Sequence, residues 1–231
     1  MILTKFYRVS GLSILIGAIA FMVHIVLRSL MTAGVEQTIF AQQGLWIPLN
    51  LLGALGAVLV IFGLPLLTAR DRRSIGWLGW SGIGLITVAW MFFGLFLSLY
   101  SILVVPWLAD QAPALVDASA SLPATMLIAY ITALVVEFVG CVLLAIPFIR
   151  DRAQPRWIGY LLPFAAIWTV AGTLLAPSGP AANLAINLSS NMGPVLLMAA
   201  LGYLGFQLWS VDAPVREART GESFVKSAGS A

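Results

Sequence analysis

One carboxyl, one imidazole and one guanidinium stand inside long apolar runs of this chain, and its chemistry has to be sought there first. Glu137 lies between Val135-Val136 and Phe138-Val139. A charged side chain at the centre of a bilayer costs about 2.5–3.5 kcal/mol on insertion scales. Such a residue must face a bundle interior, carry a proton or have a partner. Its functional readings are a proton-coupling or cation-binding carboxyl, or a general acid in a membrane enzyme; its structural reading is a protonated Glu making one interhelical hydrogen bond. His24 and Arg28 are spaced i, i+4 and so share a helix face. With Arg8 and Arg150 taken as level, His24 lies sixteen residues in and Glu137 thirteen. That is a depth difference of about 5 Å, so the two can meet if their helices are neighbours. Arg28 is nearer the far surface and is expected to snorkel rather than pair.

Uncharged polar residues form a second group. Asn183, Asn187 and Asn191 recur at i, i+4, i+8, which on a helix gives an amide stripe suited to a polar ligand or a hydrated vestibule. The same stripe is also what an interfacial loop wants. Pro177-Ser178-Gly179-Pro180 precedes it and Gly193-Pro194 is expected to bend the segment after it. Asn50 and Gln207 are candidates for interhelical hydrogen bonds, and Trp90 and Trp168 are the tryptophans expected at mid-depth.

Several chemistries lack their residues. One cysteine (Cys141) and one histidine cannot build a Cys/His zinc site or a bis-His haem within one chain. There is no Gly-rich phosphate loop and no paired-Asp motif for a diphosphate. A rhomboid-type Ser-His protease needs a His elsewhere than the first span, and a retinal Schiff base needs a mid-span Lys, whereas Lys occurs only at 5 and 226. No metal and no cofactor is assigned, and the catalytic residues of any enzyme reading stay unknown.

The elements that position these groups follow from composition. Of 231 residues, 61% are hydrophobic and 9% charged, against about 25% charged in soluble domains. A soluble enzyme, a nucleic-acid binder and a disordered regulator are thereby excluded. A helix crossing the hydrocarbon core takes about 20 apolar residues. Six runs qualify, at about 9–31, 46–69, 75–105, 123–149, 157–176 and 188–210. Backbone in lipid must bond to itself, and the alternation of a membrane β-barrel is missing. The expected fold is all-α: a six-transmembrane-helix bundle over 1–210 with a flexible cytoplasmic tail over 211–231. The first span reads as an uncleaved anchor, because no small-residue cleavage site follows its long apolar run.

Eleven of the twelve basic residues fall on one side of this arrangement, Arg28 excepted, while Glu36, Asp110 and Asp117 fall on the other. The positive-inside rule then places both termini in the cytoplasm of a cell-membrane protein. Trp46 and Trp107 are expected at the outer boundary, and Trp77, Trp80, Trp157 and Trp209 at the inner one. The outer segment 106–122, rich in Ala, is expected to lie on the surface as a short amphipathic helix. A shift of 80 residues brings Arg70-Asp71-Arg72 onto Arg150-Asp151-Arg152, and Trp77 and Gly79 onto Trp157 and Gly159. This reads as an internal repeat of tandem helical hairpins, three in all, a pattern that in transporters places sites at repeat interfaces. The turn Ala69-Arg70-Asp71-Arg72-Arg73 resembles the short acidic-basic loop between the second and third helices of major facilitator transporters. It lacks that loop's glycines, in a family with twice as many helices, and carries no residue assignment over. Gly53, Gly56, Gly76, Gly79, Gly82, Gly84, Gly202 and Gly205 are expected to permit close helix approach. Pro65, Pro147 and Pro163 are expected to kink helices or mark their ends.

The leading functional expectation is a small-solute binder or transporter focused on Glu137, with the lipid bilayer as surroundings and a homo-oligomer or membrane-complex partner as an option. The alternatives are an enzyme acting on a lipid or isoprenoid, with Glu137 as general acid, and a non-catalytic subunit or assembly factor.

Overall fold

The computed structural model describes residues 2–70, 72–116, 123–150, 155–175 and 183–210. Asp71, Asp117, Asp151, Arg152, the Pro177–Pro180 segment and the tail from 211 onward lie outside them. Every regular element among the described residues is helical. Within long apolar runs only a helix satisfies its own backbone polar groups, and the elements follow those runs. They are α1 (Ile2–Thr32), α2 (Gln37–Ala41), α3 (Trp46–Arg70), α4 (Arg72–Trp90), a π-helical segment (Met91–Phe96), α5 (Leu97–Leu103), α6 (Val105–Gln111), α7 (Ala124–Arg150), α8 (Arg156–Leu175), α9 (Leu184–Ser190) and α10 (Met192–Ser210). Six helices are long and apolar enough to cross a bilayer, the third running continuously over Ile75–Gln111. The protein is a multi-pass membrane protein built as a helical bundle.

The spans form a ring in chain order. α1 packs on α3, α3 on α4 and α5, α4 on α7, α7 on α8, α8 on α10, and α10 closes back on α1. Short connections make sequence neighbours into antiparallel spatial neighbours. One end of the ring carries Arg8, Arg70, Arg72, Arg150 and Arg156 and is called the basic end below; the other carries α2, α6 and α9. Nearer the basic end each span contributes to one apolar plug, with Ile14, Leu64, Ile86, Leu144, Leu162 and Leu201 all fully buried.

Association in lipid depends on close packing rather than on burial from water, and three seams show how it is reached. A Cβ on Gly17 would stand 2.6 Å from the Gly56 carbonyl oxygen, and one on Gly56 2.8 Å from that of Gly17. Gly11 and Gly205 face each other in the same reciprocal way across α1–α10, and Gly82 and Gly140 across α4–α7. Hydroxyls add to the first seam: Ser10 Oγ donates to the Gly63 carbonyl at 2.7 Å and Ser13 Oγ to that of Leu59 at 2.8 Å.

Two expected packing glycines have other roles. Gly84 faces open space. Gly76 also has nothing near it and takes φ +59°, ψ −174°, a left-handed value that only glycine adopts cheaply. It is the kink through which the chain enters the third span. Pro65, Pro147 and Pro163 all lie within helices. Trp77, Trp107, Trp157 and Trp209 are exposed, as interfacial rings should be, but Trp46 is fully buried. It belongs to a second small core with Phe40, Leu49, Val105 and Ala109 that ties α2 and α6 over the end of the bundle opposite the basic residues.

Candidate functional site

Between the apolar plug and this second core the ring is not filled. A cavity of about 480 Å³ lies there, bordered by α1, the third span, α7, α8 and the α9–α10 corner. That is within the range of about 300–1,000 Å³ typical of small-molecule sites. Five of the eight polar residues singled out above line it: His24, Arg28, Glu137, Asn187 and Asn191. Asn50, Asn183 and Gln207 do not.

Glu137 marks the floor. It is 3% exposed, and its Oε1 has no hydrogen-bond partner. α1 and α7 are not neighbours in the ring, so the expected His24–Glu137 pair faces across the cavity instead of meeting in a helix seam. The imidazole is held elsewhere: Nδ1 lies 2.8 Å from the Leu49 carbonyl oxygen. A carbonyl only accepts, so Nδ1 carries the hydrogen of this bond. Gly53 makes the space for this ring, since a Cβ there would fall 2.8 Å from His24 Cδ2.

Arg28 lines the cavity from α1. Its guanidinium carbon stands 5.6 Å from the centroid of the Trp46 ring, a cation–π distance, and it has no carboxylate partner among the described residues. Trp46 is fixed in turn by its indole N–H, which donates to the Ser101 carbonyl, and by an edge-to-face contact with Phe40 at 5.4 Å. The small core thus holds the ring over which the guanidinium stands.

The amide stripe divides. Asn183 caps α9, its Oδ1 accepting from the Ile186 amide at 3.0 Å, as N-cap residues do. Asn187 and Asn191 face the cavity. Asn191 is also the break between α9 and α10, in place of the expected Gly193-Pro194, and its Nδ2 donates to Ser29 Oγ at 3.3 Å and to the Asn187 carbonyl at 2.8 Å. Asn50 is spent on its own helix, donating to the Trp46 carbonyl at 2.9 Å, while its Oδ1 is buried without a partner.

Apart from Trp90, named above as a tryptophan at mid-depth, sequence reasoning passed over much of the wall. Trp90 lines the cavity at 2% exposure, set edge-on to Phe21 at 4.6 Å, and its indole N–H has no partner. Tyr130 lines it from α7, with its hydroxyl 3.4 Å from Thr173 Oγ1 on α8. Thr169 and Ser98 border it as well. The π-helical segment begins right after Trp90 and sets Phe93 on the cavity; such segments recur at functional sites. Threonines and aromatics are ordinary in spans, so only the rotation of each helix reveals them. Trp168, by contrast, is half exposed and donates to the Ser189 carbonyl at 2.6 Å. Among the described residues no three His, Cys, Asp or Glu side chains come together.

No family model matches the chain, and no curated protein and no solved structure is significantly similar to it.

Proposed function

We propose that the protein binds a small solute in this cavity and carries it across the cell membrane, with both termini in the cytoplasm and Glu137 as the focal residue. The observation that carries the reading is the convergence of polar side chains from four spans and the α9–α10 corner on one cavity, with an unpartnered carboxyl oxygen and indole N–H at its floor. Each such buried orphan costs about 1–3 kcal/mol, a cost that a bound solute offsets. The apolar plug on the basic side leaves the cavity facing the other end of the bundle, as a carrier in one of its two states requires. The crowding of basic residues at the plugged end supports its assignment to the cytoplasm.

The other readings fit less well. An enzyme using Glu137 as general acid on a lipid or isoprenoid calls for a closed apolar cavity, whereas these walls carry hydroxyls and amides above the carboxyl. A non-catalytic subunit calls for Glu137 sealed by packing, whereas Glu137 borders open space. The pairing of neighbours around the ring also supports reading the spans as three tandem hairpins, α1–α3, α4–α7 and α8–α10.

Native mass spectrometry of the protein released from membranes tests the function. We expect a retained small molecule whose occupancy falls in Glu137→Gln, and uptake of that molecule by proteoliposomes. Equal retention in wild type and Glu137→Gln would remove the carboxyl from the reading, and retention without uptake would remove transport.

A further inference from the structure

The cavity has two unlike ends. At the end away from the plug, the guanidinium of Arg28 stands among uncharged groups, those of Tyr130, Asn191 and Ser29, and no carboxylate answers it among the described residues. Guanidinium does not lose its proton, and five N–H donors in a fixed plane suit an anionic oxygen group. The Trp90 indole can only donate, and the Glu137 oxygen on the same cavity is also unanswered. A single hydroxyl or carboxamide serves both, because it accepts and donates at once. Between these ends the walls are mostly apolar, Phe21, Ile25, Phe93 and the Tyr130 ring, with the His24 imidazole and the Thr173 hydroxyl among them. Arg28 lies twenty residues along α1 from Arg8, and Glu137 thirteen along α7 from Arg150, which separates the two levels by about 10 Å.

Resting on the reading of the cavity as a solute site, we infer that its ligand is a small organic monoanion with an apolar body and a neutral hydroxyl or amide at the end remote from the charge. The anionic group sits on Arg28 and the hydroxyl bridges Trp90 and Glu137. A dianion has no second cation to meet, since Arg28 is the only Arg or Lys lining the cavity among the described residues, and a cationic ligand would confront the guanidinium. The same chemistry occurs in a free hydroxy acid and in a lipid headgroup that pairs a phosphate with glycerol hydroxyls.

Thermal unfolding of the full chain in detergent, titrated with 3-(4-hydroxyphenyl)propanoate, its uncharged amide and 3-phenylpropanoate, tests the assignment. Nanodiscs of phosphatidylcholine with and without phosphatidylglycerol form the lipid arm. The hydroxy acid should bind best, the amide about tenfold more weakly, and the acid lacking the hydroxyl about three- to tenfold more weakly. Arg28→Gln should erase the preference for acid over amide, and Arg28→Lys, which keeps the charge, should retain part of it. Trp90→Phe should bring the two acids level. Stabilisation by phosphatidylglycerol alone, lost in Arg28→Gln, supports the same site with a lipid as its source. An amide that matches the acid, or undiminished acid binding by Arg28→Gln, overturns the anion assignment while leaving the solute site standing. Stabilisation by neither the acids nor phosphatidylglycerol overturns it as well.

Discussion

The orphaned oxygen of Glu137 separates stability from function at one residue. A buried polar group without a partner lowers stability, and its replacement by an apolar side chain of similar size is neutral or stabilising. Glu137→Met should therefore leave stability in detergent unchanged or raise it by up to about 2 kcal/mol, while ligand retention is lost. A clear fall in stability would show that the carboxyl holds the bundle together. His24 and Gly53 make the opposite case. Gly53→Ala would press a methyl to 2.8 Å from the imidazole and displace it from the Leu49 carbonyl, an overpacking that costs about 1–3 kcal/mol. In a double-mutant cycle His24→Ala should remove most of that cost; additive effects would mean that the glycine serves something else. These contrasts explain what was legible here. A Glu, a His or an Arg in an apolar run is conspicuous because lipid penalises it, so its presence announces a site. Asn50 was equally conspicuous yet bonds within its own turn, and of the two tryptophans expected at mid-depth only Trp90 lines the cavity, because a residue's type does not fix the direction it faces.

Helices in this protein are set by where their small residues fall, and α4 offers a test two residues wide. Gly82 abuts the backbone of α7, where a Cβ would lie 2.6 Å from the Leu144 nitrogen, whereas Gly84 faces open space. Gly82→Ala should destabilise by about 1–3 kcal/mol, and Gly84→Ala should be neutral or stabilise by up to about 1 kcal/mol through helix propensity. Thermal unfolding of the two variants in parallel checks this, and similar losses in both would remove close approach as the reason for Gly82. The spans themselves were readable because about 20 apolar residues in a row is a one-dimensional signal. Their interruptions were not. The π-helical turn over Met91–Phe96 lies in an unbroken apolar run with no proline, and it packs against both α3 and α7. The kink at Gly76 was taken for packing, since a glycine needed for its φ and a glycine needed for its size look the same in a sequence.

At the scale of the whole molecule, the ring order could not be read from the chain, since six apolar rods with short links pack in more than one cyclic order. It has a functional consequence: all six spans meet in the plug, so access from the basic side requires them to part. Single cysteines in a Cys141→Ala background report on this. Thr32→Cys and Thr173→Cys at the cavity should react with a membrane-impermeant maleimide added to intact cells. Ala18→Cys and Ala165→Cys, at plug positions with 0% exposure, should not react from either side. Reaction of the cavity pair only in inverted vesicles would reverse the orientation drawn from the basic residues. With the retained solute present, a carrier must visit a state open to the basic side, so Ala18→Cys and Ala165→Cys should become reactive in inverted vesicles. A protein that only binds its ligand will keep both plug cysteines silent, because nothing in binding alone opens an apolar core to which every span contributes.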